Sequence, residues 1–483
     1  EETLPNLFNN DKKILEINSK TGLYPLYVAY SFYQNRRINK EHNRSKEEIR
    51  DYWQETLKEN IYVICKTKMA KTITKRTLAG YNNYDVNIID YEDIVDVLKN
   101  KPQQFIDKAL NGKTWGNEVD KMKFDCIVGN PPYQENDMGI REEGASINSS
   151  ASPLYDKFTV NAQKITNQYV SLIMPSRWMA GGKGLDNFRR QMLEDTKIKK
   201  LFDYPSDGQV FENVSIKGGV CYFLWDNKYN DKCKITINNK DGIVVSDRFL
   251  NDGESGVFIR DNELISINKK VWNKTKVNIE NSVASIISSR KPYGLATDTI
   301  MHPTKYGLSK VYSTKKDAIG KGIKEEEIIE LIGLLKNTRV IKYVDKEEIK
   351  VGLDTIDKYK IFVPKAYGCG AIGEVIPTPI LGTPIQICTE TFLRYGCFDK
   401  KEDAESALKY LKTKFFRCLV GINKLTQDSP NRVYKNVPIQ DFTNNSNIDW
   451  TKSITEIDKQ LYEKYKLNEA EIEFIETRIK EMK

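Results

Sequence analysis

The first half of the chain alternates short apolar runs with stretches whose apolar residues recur at helical spacing. That is the pattern of parallel strands joined by helices. Lys13 to Asn18 (KILEIN) predicts a first strand, followed by a helix from about Tyr24 to Asn35. The charged segment 45–59 (SKEEIRDYWQETLKE) predicts an inserted helix capped by Ser45. Ile61 to Cys65 and Val86 to Ile89 predict the second and third strands, and Tyr91 to Lys99 the helix after them. Phe124 to Val128 predicts the fourth strand, and Tyr169 to Met174 a fifth that stops at Pro175. A helix near Leu185 to Glu194 and a strand at Lys200 to Phe202 follow. Gly218 to Trp225 and Cys233 to Ile237 then predict a terminal hairpin.

Around residue 240 the alternation stops. From Asp241 to about Lys400 the predicted strands are short, separated by turn clusters such as Tyr367-Gly368-Cys369-Gly370 and Pro377-Thr378-Pro379. From Lys401 helical spacing returns, ending in Ile454 to Lys466 and Glu469 to Lys483. The expected organisation is an α/β domain over 1–245, a β-rich module over 246–400 and a helical region over 401–483.

The most specific chemistry sits where the fourth strand ends. Asp125 opens an apolar run that stops at Asn130-Pro131-Pro132-Tyr133. Two prolines in sequence fix φ and lack backbone donors, so neither sheet nor helix continues through them. The chain must leave the strand as a stiff extended loop, on the sheet edge where open α/β folds bind ligands. The Asn130 side-chain oxygen and the Pro131 carbonyl can accept both hydrogens of an exocyclic amine. That leaves the amine lone pair directed at an electrophile. Tyr133 offers a face to a flat heterocycle, and such stacking is worth roughly 1–3 kcal/mol per base. That offsets part of the few kcal/mol needed to extrude a base from a duplex.

Composition narrows the setting. The 483 residues are 39% hydrophobic and 29% charged, which suits a globular chain with two or three domains. A net charge of +8 and 26 tyrosines interleaved with Lys and Arg permit a polyanionic partner. The eight cysteines include no CxxC pair, and the only histidines are His42 and His302. A zinc site or a histidine-based triad is therefore not expected, and a reducing cytoplasm is. No apolar run has the length of a membrane span, and the start, Glu-Glu-Thr-Leu-Pro, lacks the features of a signal peptide. It also lacks an initiator Met, so the chain is expected to begin inside a longer protein.

The Asn130-Pro131-Pro132-Tyr133 loop resembles the catalytic motif of amino-methyltransferases that act on adenine with S-adenosylmethionine. With ILEINSKTGLYPLY ahead of it and LIMPSRWMAGGKGLDNFR, VSIKGGVCYFLWD, SSRKPYGL, FVPKAYGCGAIGEVIPTP and KTKFFRCLVG…RVYKNVPIQDF behind, most of the chain is similar to gamma-class DNA adenine-N6 methyltransferases. More closely it resembles the methylase and target-recognition portion of type II (IIG-like) restriction-modification enzymes. The resemblance implies a Rossmann-like methyltransferase domain over 1–245, a target recognition domain over 246–400 and DNA-clasping helices over 401–483. It implies S-adenosylmethionine as cofactor, held by Glu16, Asn18 and Gly22, by Asp93 or Asp90 near Glu92, and by Asn130. Asn130, Pro131, Pro132 and Tyr133 would be catalytic, with Phe211 packing on the other face of a flipped adenine.

Two positions depart from that pattern. Asn18 and Lys20 stand where glycines are usual, although Asn tolerates positive φ. The second strand ends in Cys65-Lys66-Thr67-Lys68, without the carboxylate that normally holds the cofactor ribose. Gly181-Gly182-Lys183-Gly184 reads as a flexible loop over the site or as a plain turn. Double-stranded DNA is the implied partner, contacted by Arg290, Lys291 and Tyr293 and by the basic run Lys412, Lys414, Arg417, Lys424, Arg432 and Lys435. No nuclease or helicase motif stands out, so cleavage would belong to another segment or subunit. Two other functions stay open: a methyltransferase fold retained for site recognition, and methylation of RNA or protein glutamine.

Overall fold

The computed structural model describes residues 4, 6–38, 46–134, 152–182, 184–206, 208, 210–211, 216, 218–239, 242–252, 255–336, 338–368, 372–373, 378–424 and 428–482. The chain divides into two units: Glu1–Trp178 with Gly182–Leu250, and Met179–Gly181 with Asn251–Lys483.

The centre of the first unit is fixed by strands that are apolar on both faces. All six residues of β1 (Ile14–Ser19) and all five of β2 (Ile61–Cys65) are buried, so both faces of the sheet must be covered by helices. β3 (Asn87–Asp90), β4 (Phe124–Gly129) and β5 (Thr166–Pro175) extend the sheet in parallel, β3 beside β2 and β4 beside β1. The connections are α1 (Leu23–Ile38), α2 (Lys46–Glu59), α3 (Lys68–Ala79), α4 (Ile94–Asn100), α5 (Pro102–Leu110) and α6 (Tyr155–Ile165). Ser45, expected to cap α2, lies outside the described residues. After α7 (Asp186–Glu194) come β6 (Ile198–Tyr204), β7 (Val220–Asp226), β8 (Cys233–Asn239) and β9 (Gly242–Arg248).

The sheet order is β3-β2-β1-β4-β5-β7-β6-β8-β9. The expected terminal hairpin of β7 and β8 does not form. β7 lies antiparallel between β5 and β6, and β8 runs parallel to β6. An uninterrupted apolar run such as Val220–Trp225 is stable where both faces and both edges are covered, and the position between β5 and β6 provides that.

Polar anchors set the register around β1. The buried Arg36 of α1 donates to Glu55 and Glu59 of α2 at 2.9 and 2.8 Å and to Asn60 at 2.9 Å. Asn60 donates in turn to the carbonyls of Asn10 and Lys12, which fixes the segment entering β1. Asp125 accepts from the Lys13 amide at 3.0 Å and locks β4 beside β1 at their start. At the other end the two backbones nearly touch. A Cβ on Gly129 would lie 2.7 Å from the Ile17 carbonyl oxygen.

In the second unit, β10 (Ile328–Leu335), β11 (Thr338–Asp345) and β14 (Gln386–Cys388) form one small sheet. β12 (Tyr359–Pro364), β13 (Ile380–Gly382) and β15 (Phe392–Phe398) form another. The helices are α8 (Asn262–Thr275), α9 (Val283–Ile286), α10 (Lys315–Ile319), α11 (Lys401–Lys412), α12 (Lys414–Asn423), α13 (Ile454–Lys464) and α14 (Glu469–Arg478). Strands before residue 400 and helices after it share one core, in which Tyr395, Tyr410, Phe416, Tyr434 and Trp450 pack together. A buried Asp458 holds the start of α12 by accepting from the amides of Lys414 and Phe415, both at 2.9 Å.

Gly129→Ala should destabilise the first unit by about 1–3 kcal/mol, because β1 and β4 must separate to admit the methyl group. Urea unfolding followed by tryptophan fluorescence reads this directly; an unchanged midpoint would contradict the close approach.

Candidate active site

The candidate site forms where the sheet order reverses, between β1 and β4. β1 ends in a bulge: its pairing with β2 shifts between Ile17 and Ser19, and Asn18 takes φ 72°. That is the left-handed conformation that asparagine, standing in a glycine's place, tolerates. From there Asn18 Nδ2 donates to the Asn130 carbonyl at 3.2 Å, which ties the turn after β1 to the Asn-Pro-Pro-Tyr loop. Gly22 follows at φ 78°, and a Cβ there would meet Thr74 Cα and Thr77 Cβ of α3 at 3.0 Å.

Asn130 is half-buried, Pro131 and Pro132 are buried, and Tyr133 is half-buried. The returning chain meets the loop at once: the Tyr133 carbonyl accepts from Leu154 N at 3.3 Å, and Gln134 bridges to Pro153. Strand pairing carries this edge onward. Gly129 pairs with Leu172, Pro175 with Val220, and Val220 with Tyr204. The loops leaving β1, β4, β5 and β6 therefore emerge on one side of the sheet. Phe211 lies in the last of them, half-buried, in a hollow it lines with Ser206, Val210, Ile216 and Val220. Glu212 to Val214, beside it in sequence, and Lys183 of the glycine-rich segment lie outside the described residues.

Glu16 is the unusual charge of this edge. Its side chain is buried, with 4% of the residue exposed. One oxygen is held toward Ser19, and Oε2 has no hydrogen-bond partner among the described residues. Burial pushes its carboxyl up to about 8, so it is largely protonated at neutral pH. Ser19 in turn meets Thr74 of α3 at 3.3 Å.

At the end of β2, Thr67 caps α3 by accepting from Ala70 N at 3.1 Å. Lys71, one turn on, reaches Asp90 at 2.9 Å and holds its carboxyl below the usual range. Asp93 is exposed at the start of α4, as is Glu92. Neither Lys71 nor Thr74 was singled out from sequence. The signal was available in Thr67 followed by KMAKTITKR, a capped helix whose inner side faces β1.

The part of this edge that follows β1 lies within a longer stretch that known proteins share. Residues 59–211 match the Eco57I restriction-modification methylase family. The match runs from β2 through the Asn130 loop to Phe211. A protein of Mycoplasma pneumoniae described as an uncharacterised adenine-specific methylase is 28% identical over 168 residues, 34% of this chain and 38% of the relative's own length. Among solved structures, the type IIL restriction-modification enzyme MmeI in complex with DNA aligns over 99% of this chain and 75% of its own. Its TM-score is 0.57, at 11% identity. A nuclease-deletion mutant of the type ISP enzyme LlaGI, with a DNA substrate mimic, aligns over 99% of this chain and 46% of its own, with a TM-score of 0.53 at 11% identity. Together with the sheet order, these likenesses establish an α/β methyltransferase fold.

The expected DNA contacts divide sharply. Arg290 and Arg432 are exposed, and Lys291, Lys412, Lys414 and Lys435 are half-buried. Lys414 is engaged with Glu476. Tyr293 is corrected: at 1% exposure it belongs to a hydrophobic core, with its hydroxyl bonded to Thr355. Arg417 is corrected likewise, at 4% exposure with Nε on the Thr413 carbonyl, and Lys424 is buried against Tyr367. Every residue of α12 from Phe415 to Val420 is buried, so the helix is enclosed on all sides and Arg417 has no solvent face to take.

The Glu16 carboxyl sets a pH dependence. Its folded value lies above the ordinary 4.5, so the folded protein holds an extra proton between about 4.5 and 8. Stability from this group is present at the acid end and lost as pH rises through about 8. Glu16→Gln should therefore flatten the fall in thermal midpoint across that window, and parallel curves for the two proteins would refute the protonated state.

Proposed function

We propose that this chain is a site-specific DNA methyltransferase that transfers a methyl group from S-adenosylmethionine to N6 of a flipped adenine, within a restriction-modification system. One observation carries the reading. The Asn130-Pro131-Pro132-Tyr133 loop leaves β4 at the switch point and is hydrogen-bonded to the β1 turn. The family of the matched segment and the adenine-specific name of the relative support it, although the chain spans only 38% of that relative.

The residues of the β1 edge fit the cofactor. The buried Glu16 Oε2, without a partner among the described residues, is a hydrogen-bonding group left for a ligand, and the left-handed Asn18 and close-packed Gly22 bring backbone to the surface. Asp90 and Asp93 stand at the end of β3, the edge position proposed for the adenine amine of the cofactor. When bound, S-adenosylmethionine supplies an activated methyl group. The chain's own part is positioning. Asn130 Oδ1 and the Pro131 carbonyl accept the two amine hydrogens of the target, and Tyr133 and Phe211 hold the ring by its faces. Fixing an amine in line with its electrophile is worth several orders of magnitude in rate.

The same proposal assigns target recognition to 246–400 and clasping of the duplex to 401–483, with phosphates met by the half-buried Lys412 and Lys435 and by the exposed Arg432. Any nuclease or helicase belongs to a segment or subunit outside this chain. No disulfide joins the seven described cysteines, which fits a reducing cytoplasm. Among the described residues, no helix is long and apolar enough to cross a membrane.

A second reading, a methyltransferase fold kept for site recognition, draws on β2. It ends without a carboxylate, and Lys71 occupies Asp90. Calorimetric titration with S-adenosylmethionine in the presence of DNA separates the two: saturable binding supports the enzyme, no binding the recognition module. Asn130→Ala should lower methyl transfer by about 10²–10³-fold while cofactor binding persists. Tritium transfer to duplex DNA measures this, and full activity in the variant would sink the assignment.

A further inference from the structure

Arg290 lies in the turn after α9, and its side chain is 68% exposed. An exposed arginine of this length ordinarily samples many rotamers. This one is held side-on by a single carboxylate: Nε donates to Glu390 Oε2 at 2.7 Å and Nη2 to Oε1 at 3.3 Å. The Glu390 side chain is only 9% exposed, between β14 and β15, and its own amide is bonded to the Leu295 carbonyl at 2.8 Å. Burial pushes the Glu390 carboxyl up, but Arg290, Lys365 and the Thr297 amide outweigh it and keep it ionised. The result is a solvent-facing guanidinium with a fixed direction, whose end-on hydrogens, one on each Nη, are not used by Glu390.

Two uses of such a group on a nucleic acid differ in what they need. A phosphate contact draws on net charge, and the Arg290–Glu390 doublet has none. A carboxylate beside a phosphate is also repulsive. Reading a base edge draws on direction instead, because the fork must meet two acceptors at once. Arginine has donors only, and the major-groove edge that offers two adjacent acceptors is that of guanine, O6 with N7. Neighbouring cations are point charges of the other kind: Lys291 and Lys305 lie over the Tyr306 ring at 5.7 and 5.3 Å, and Lys305 is also paired with the half-buried Asp298 at 3.2 Å.

We propose that Arg290 reads a guanine of the recognition site, with Glu390 as the positioning residue that aims it. This rests on DNA being the partner.

The test uses the full chain and a pool of duplex oligonucleotides with a randomised centre, comparing bound with unbound sequences. Wild type, Arg290→Lys and Glu390→Gln are run in parallel with thermal midpoints as a folding control. Both substitutions sit at or near the surface and keep a polar group there. The expected result is a wild-type motif containing a guanine whose preference falls roughly 5- to 150-fold in both variants, with the other positions and the salt dependence unchanged. Uniform weakening across all sequences, with the salt slope reduced by about one, would make Arg290 a phosphate contact and overturn the proposal. An unchanged motif overturns it as well. A wild-type chain that enriches no sequence removes the DNA reading itself, and is recognised before any variant is compared.

Discussion

The candidate site depends on how closely β1 and β4 approach at their carboxyl ends. Gly129 leaves no room for a side chain against the Ile17 carbonyl, and the Asn18 side chain spans the gap to Asn130. One bond of 3.2 Å therefore couples the turn that would carry the cofactor to the loop that would carry the target amine. At the opposite end, Asp125 fixes the same two strands through the Lys13 amide. The pair is thus pinned at both ends, and its stiffness passes to the two prolines that follow.

Around that pair the electrostatics are arranged by burial more than by ion pairing. Glu16 is held without a counter-charge and stays protonated at neutral pH, so it presents a polar but uncharged wall. The charged partners stand further along the edge, where Lys71 and Asp90 neutralise each other in a half-exposed pair. A pair so exposed adds little to stability. Its consequence is local geometry: one Asp90 oxygen is engaged before any ligand arrives.

Much of the first unit was legible because parallel strands buried on both faces announce themselves as short apolar runs, and because prolines mark where one of them stops. The positive φ of Asn18 was legible for the same kind of reason, a residue type with a known tolerance standing where a turn was needed. Pairing order was not. Nothing in Val220–Asp226 states which strands flank it, and a nearby apolar run invited a hairpin that β6 in fact separates. The enclosure of a whole helix was also hidden. Arg417 reads as a surface cation, yet every residue from Phe415 to Val420 is buried, and Arg417 lies in the core beside Phe416. Tyr293 was misjudged because a turn-rich, basic stretch was assumed to be superficial along its whole length.

The place of β7 bears on how the chain is made. Strand β5 presents ten residues, and its edge away from β4 is bonded by β7 alone. During synthesis β1 to β5 can assemble from the first 175 residues, but that edge stays open until residue 226 has emerged. Over that interval the nascent sheet offers an unpaired apolar ladder, the kind of surface that chaperones cover and that neighbouring chains join. The loop carrying Phe211 lies within the delayed segment. One wall of the candidate site is therefore completed only when the sheet is sealed.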